Sequence, residues 1–160
     1  MIRTALITLS TSRAGSGGDD PSGDLLVGIA DELGAEVAGR ELIPDDPALL
    51  RERLIVWADE EGVDLILTTG GTGFSPSDRT PEATSEVIDR PAPGIAEAIR
   101  QEAARHTPHW ALSRGTAGIR GSCLIVNLPG SPRGVEQSAA VLLPILPHAL
   151  DLIADRPSGH

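Results

Sequence analysis

The sequence predicts an α/β domain built on a largely parallel sheet. Three observations carry that expectation. Apolar runs of strand length alternate with amphipathic stretches of helix length along the chain. The strand runs are short and continuously apolar, as strands covered on both faces are. Turn-rich loops of Gly, Ser and Thr follow three of them, where open parallel sheets bind ligands. A length of 160 residues fits a single domain, expected over residues 1–154 with a tail at 155–160.

Taken in order, Ala5 to Leu9 reads as the first strand. It ends in Ser10-Thr11-Ser12-Arg13-Ala14-Gly15-Ser16-Gly17-Gly18, expected as a polar loop. Leu25, Leu26, Ile29 and Leu33 recur at helical spacing, and Gly34 is placed to end that helix. Glu36 to Leu42 reads as a second, weaker strand. Asp46-Pro47 is a helix start, with Asp as cap and Pro at the first helical position. Leu50, Leu54, Trp57 and Ala58 give that helix an apolar face, and Gly62 ends it. Val63 to Thr69 is the third strand.

Thr80-Pro81-Glu82 repeats the cap-then-proline start and opens a short helix through about Val87. Pro93-Gly94 precedes a helix carrying Ile95, Ile99 and Ala103. Trp110 to Leu128 reads as short strands, with Gly115, Gly118 and Gly121 as punctuation and Leu124-Ile125-Val126 as the clearest. Ser131-Pro132 starts the last helix, with Val135, Ala139, Leu142 and Leu143 inward, and Pro144 and Pro147 kink or divide it. Asp155 to His160 reads as a frayed tail.

Composition narrows the function. With no Tyr, one Phe and two Trp, the core must be aliphatic. A net charge of -10 argues against a nucleic-acid partner, which is held mainly by Lys and Arg. A small anionic ligand stays open, because backbone N–H groups hold phosphate without a basic surface. The lone Cys123 allows no disulfide within the chain and reads as a small buried residue. No apolar run approaches the roughly 18 residues of a membrane span. The N-terminus runs straight into a strand without the regions of a signal peptide, so the cytoplasm is the expected location.

The segment Leu67-Thr68-Thr69-Gly70-Gly71-Thr72-Gly73 reads as a strand end entering a ligand-binding glycine loop for a phosphorylated small molecule. Three glycines let backbone approach a ligand closely, and Thr68, Thr69 and Thr72 add hydroxyls. If the strands before Ser10–Gly18, Gly70–Arg79 and Asn127–Pro132 are neighbours, these loops converge on one crevice. Asp45 and Asp78 then lie on its rim and suit magnesium shared with substrate phosphates. Helix capping beside Asp46 and a plain turn role are the competing readings of these two acids. Arg114, after Ser113, suits a fork onto a phosphate or carboxylate, against a structural reading. His106, His109, His148 and His160 show no zinc-ligand spacing and read as structural or surface residues. Ser10 and Thr11 have no evident His and Asp partners for a hydrolase triad. Asp19, Asp20, Asp24, Asp31 and Glu32 read as a solvated face.

Several segments occur together in a fixed order: Thr68 to Gly73, Asp78-Arg79-Thr80-Pro81-Glu82-Ala83-Thr84, Pro93-Gly94, Leu112-Ser113-Arg114 and Asn127-Leu128-Pro129-Gly130-Ser131-Pro132. The chain in this resembles the MogA/MoaB family of molybdenum cofactor biosynthesis, nearly from end to end. The resemblance implies a three-layer α/β/α, Rossmann-like domain that binds molybdopterin and forms a homotrimer. It also implies contact with a downstream metal-insertion enzyme. Its MogA branch implies magnesium-dependent adenylylation of molybdopterin by ATP, with release of pyrophosphate. Asp45 and Asp78 match the family's two essential aspartates. The implied substrate contacts are Ser10, Thr11, Thr69, Gly70, Gly71, Thr72, Gly73, Ser113, Arg114, Asn127, Leu128, Pro129, Gly130, Ser131 and Pro132. One departure stands out: members of that family often carry Ser-Asp-Arg or Ser-Asp-Lys after the first strand, where this chain has Ser10-Thr11-Ser12-Arg13 with no aspartate.

Three other readings compete. One is a binding-only module or carrier of the MoaB type. A flavin binder is disfavoured by the scarcity of aromatic residues. A nicotinamide enzyme lacks the Gly-x-Gly-x-x-Gly pattern after the first strand.

Overall fold

The structure is a computed structural model and describes residues 1–156. The chain runs β1 (Arg3–Leu9), α1 (Thr11–Ser16), α2 (Pro21–Glu32), β2 (Glu36–Ile43), α3 (Pro47–Ile55), β3 (Leu65–Thr69), α4 (Thr80–Val87), β4 (Arg90–Pro91), α5 (Pro93–Ala104), β5 (Ala117–Arg120), β6 (Cys123–Leu128), α6 (Pro132–Leu142) and α7 (Leu146–Ile153). A π-helical turn at Val56–Glu60 continues α3, and a 3-10 turn at Pro108–Leu112 follows α5.

The strands form one six-stranded sheet in the order β2-β1-β3-β6-β5-β4. The first four are parallel, and β5 and β4 each pair antiparallel to their neighbour. Consecutive residues of the central strands go to opposite faces, the period-two rule of a pleated strand. Leu6, Leu65, Leu67, Leu124 and Val126 meet residues of α2, α5, α6 and α7, among them Leu26, Ile99, Val135 and Leu146. Ala5, Ile7, Ile66 and Ile125 meet Leu50 and Leu54 of α3 and Ala83 and Val87 of α4. The result is the expected three-layer arrangement. Each fully buried Leu or Ile contributes about 1.5–3 kcal/mol relative to exposure, so a covered sheet of aliphatic strands needs no aromatic core.

Register brings the carboxyl ends of the parallel strands level. Leu9 lies opposite Ile43, Thr8 opposite Thr69, and Thr69 opposite Leu128. From β1 the chain moves to β2 on one side and to β3 on the other, so the switch in strand order falls between β1 and β3. The three loops are therefore neighbours, as expected, and Asp45 joins them from the end of β2.

Four local expectations differ. Ser10–Gly18 is not all loop: Ser10 caps α1 by accepting from the Arg13 N–H, and Gly17 closes it at φ 64°. No residue of α1 is buried, so no apolar period announces it. Trp110–Leu112 is 3-10 turn rather than strand, opened by Thr107, whose hydroxyl accepts from the His109 N–H. The two-residue β4 is absent from the sequence reading and pairs with Gly118 and Ile119. Arg156, placed in the frayed tail, is held by ion pairs to Asp151 (3.7 Å) and Asp64 (3.8 Å). The rest of that expected tail, 157–160 with His160, lies outside the described residues.

Candidate active site

At the switch point the backbones of three loops meet. Gly70 has φ 99° and Gly71 φ 70°, conformations that favour glycine. A Cβ on Gly70 would collide with the Leu9 carbonyl, and one on Gly130 would stand 3.2 Å from the Gly70 Cα. Thr80 turns the loop's carbonyls toward α4: its N–H donates to Gly71 and its hydroxyl to Gly70 (2.9 Å). Thr80 is therefore the first residue inside α4 and not its cap, which falls to the Arg79 position. Among the described residues, the N–H groups of Gly71, Thr72 and Gly73 donate to nothing. Consecutive unpaired N–H groups of this kind suit an anion.

Two carboxylates stand against this loop. A Cβ on Gly71 would sit 3.4 Å from Oδ1 of Asp45, and one on Gly73 would sit 2.9 Å from Oδ2 of Asp78. Asp46 caps α3 alone, accepting from the N–H groups of Ala48 and Leu49, so the shared-cap reading of Asp45 does not hold. Asp45 instead accepts at Oδ2 from the Thr11 hydroxyl (2.9 Å) and N–H (3.1 Å), while Oδ1 faces Gly71. The run that lacks the acid thus supplies donors to Asp45. Asp78 keeps a turn role as well, accepting at Oδ2 from the Ser75 N–H (3.0 Å).

Much of what the sequence assigned to ligand contact is committed inside the protein. Arg114 donates through Nε to the Gly73 carbonyl (2.8 Å) and through Nη2 to the Asp78 carbonyl (2.7 Å). Its Nη1 donates to both Glu82 oxygens at 2.8 Å. It braces both ends of the segment carrying Asp78 rather than reaching out as a fork. Asn127 is buried, donating to the hydroxyls of Thr68 and Thr84 (3.0 Å each) and accepting from the Thr116 N–H. Leu128 is wholly buried in the core. The Thr69 hydroxyl donates to the Pro129 carbonyl (2.6 Å), and the Gly130 carbonyl accepts from Ser22 (2.7 Å). Ser131 caps α6, with Pro132 as its first residue, and Ser10 caps α1.

Two surface clefts flank the site. One of about 290 Å³ is lined by Phe74, Asp78, Arg79, Glu82 and Arg114. The other, about 320 Å³, is lined by Trp110, Ser113, Pro129, Ser131, Arg133 and His106 among others. A narrow gap, too small to admit water, lies among Asp45, Leu50, Ser77, Arg79 and Thr80.

Sequence reading missed Arg79 and Glu82 as separate actors, although both lie within the quoted Asp78–Thr84 motif. It also missed Asp20. That side chain is not on a solvated face: it accepts from the Thr8 hydroxyl (2.7 Å), the Gly23 N–H (3.0 Å) and Arg40 (3.3 Å). No His, Cys, Asp or Glu residues among those described form a group of three or more suited to a metal. Burial, with smaller contributions from Asp64 and Asp59, pushes the Cys123 thiol up to about 12, which leaves it inert.

Residues 5–148 match the family model described as "Probable molybdopterin binding domain". The chain is 41% identical over 113 residues to a molybdopterin adenylyltransferase of Helicobacter pylori, covering 71% of this chain and 64% of that protein. It is 41% identical over 138 residues to the molybdenum cofactor synthesis protein cinnamon of Drosophila melanogaster, covering 85% of this chain and 23% of that one. The chain thus spans less than two thirds of the length of both. The crystal structure of the molybdopterin biosynthesis enzyme MoaB from Thermus thermophilus superposes with a TM-score of 0.91 at 48% identity. That match covers 98% of this chain and 99% of that one.

Proposed function

Because the chain belongs to the family of probable molybdopterin binding domains, we propose that it is a molybdopterin adenylyltransferase, joining molybdopterin to AMP from ATP and releasing pyrophosphate. One observation carries this reading. Two carboxylates stand directly against an anion-suited glycine loop at the switch point, and a separate cleft opens past Ser113 and Pro129. Two ligands can then meet over the loop.

The residues fit magnesium. Asp45 and Asp78 stand against the glycine loop, and magnesium is usually held by one or two carboxylates together with substrate phosphates. Bound with the triphosphate, the ion would neutralise charge at phosphorus and polarise the phosphoryl oxygens. Asp45 and Asp78 would hold it. The N–H groups of Gly71, Thr72 and Gly73 would hold phosphate oxygens. Ser113 and Ser131 would line the end that takes molybdopterin, whose terminal phosphate attacks the α-phosphorus as the bond to pyrophosphate breaks. The protein contributes position and charge rather than a covalent intermediate.

In the same reading residues 1–154 form one molybdopterin-binding domain. The protein acts as a homotrimer in the cytoplasm and passes its product to the downstream metal-insertion enzyme. A binding-only role of the MoaB type is the second reading, favoured by the run Ser10-Thr11-Ser12-Arg13, which lacks the aspartate that the family resemblance implies after the first strand. Pyrophosphate release separates the two. Purified protein with molybdopterin, ATP and magnesium should release it, and Asp45→Ala and Asp78→Ala should abolish release while pterin binding persists. Full adenylylation by the double variant would remove the catalytic role of both residues.

A further inference from the structure

Two guanidinium groups border the cleft beside Asp78, and they differ in what holds them. Arg114 is neutralised by Glu82 and committed to two backbone carbonyls. The Arg79 side chain has no hydrogen bond or ion pair among the described residues, and it lines both the cleft with Asp78 and the narrow gap beside Asp45. It is therefore a cation without a protein partner among the described residues that borders a space shared with each carboxylate. A triphosphate entering beside two aspartates, in a chain of net charge -10, brings like charges together. An Arg offers five donors in a planar fork suited to phosphate oxygens, and it costs nothing here to detach from a protein partner.

We propose that Arg79, and not Arg114, is the guanidinium that meets the triphosphate of the nucleotide. The assignment rests on the adenylyltransferase reading for its substrate, but binding tests it separately from turnover. Calorimetric titration of the full chain with Mg-ATP, and with magnesium pyrophosphate, provides that readout. Loss of a charge-assisted contact predicts that Arg79→Gln weakens both ligands by roughly tenfold to a hundredfold. Arg79→Lys should recover part of the loss, because charge returns without the fork. Thermal melting should not change, since the Arg79 side chain makes no hydrogen bond or ion pair among the described residues. Arg114→Lys should instead lower the melting temperature by loosening the segment from Gly73 to Asp78. Arg79→Gln binding both ligands as tightly as wild type would overturn the proposal. Wild-type protein that binds Mg-ATP but releases no pyrophosphate with molybdopterin would overturn the enzymatic reading and leave the role of Arg79 to the titration.

Discussion

The loops after β3 and β6 carry the two motifs most visible in the sequence, and their polar groups are used in opposite ways. At the end of β6 and beyond it, Asn127, Pro129, Gly130 and Ser131 all have partners inside the protein. After β3, the N–H groups of Gly71, Thr72 and Gly73 are unpaired among the described residues, with two aspartates beside them. One loop is a frame and the other leaves its donors open to an anion. Residue type does not separate them, since both combine Gly, Ser and Pro. Whether hydrogen-bonding capacity is already satisfied does, because a buried polar group must be paired while an accessible one is available to a ligand.

The sharpest way to break this contrast is to alter each side and read both activity and stability. Asp45→Asn or Asp78→Asn should reduce pyrophosphate release by about a hundredfold or more, the scale of losing one electrostatic stabiliser of a transition state. Neither should shift the urea midpoint appreciably. Asn127→Ala should do the reverse. It strands the Thr68 and Thr84 hydroxyls and the Thr116 N–H, for a loss of roughly 2–4 kcal/mol in urea unfolding.

A smaller effect comes from Cys123 at the start of β6. Its thiol is raised from 9.0 to about 12 on folding, so the unfolded chain ionises first. Stability from this group is complete below pH 9.0 and falls by about 1.4 kcal/mol per pH unit from there toward 12. Urea midpoints at pH 8 and pH 10 (about one unit on either side) should therefore fall further for wild type than for Cys123→Ala. Smallest is Ser131→Ala, which removes the cap of α6 for about 1 kcal/mol. Pyrophosphate release should persist, because the Ser131 hydroxyl is spent on the cap and the residue lines the pterin end by position alone.

The central strands were legible because burial on both faces demands unbroken apolar runs, as in Leu65-Ile66-Leu67 and Leu124-Ile125-Val126. The start of α3 was legible from Asp46-Pro47, where the cap is local. What escaped depends on distance or on exposure. Arg114 looked like a phosphate fork because Glu82 and the Gly73 and Asp78 carbonyls lie 32 to 41 residues away. Thr80 looked like a helix cap because its bond to Gly70 crosses the whole loop. The helix α1 escaped because it buries nothing. Asp45 was found from its place at a strand end and Asp78 from its place just beyond the glycine loop, but that Thr11 holds Asp45 became visible only with β1 and β2 aligned.

The most direct test of the account is pyrophosphate release by an Asp45→Asn, Asp78→Asn double variant, measured beside its affinity for molybdopterin. Retained pterin affinity, an unchanged melting temperature and release at background level are predicted. Release at the wild-type rate would contradict the assignment of the chemistry to the two carboxylates beside the glycine loop.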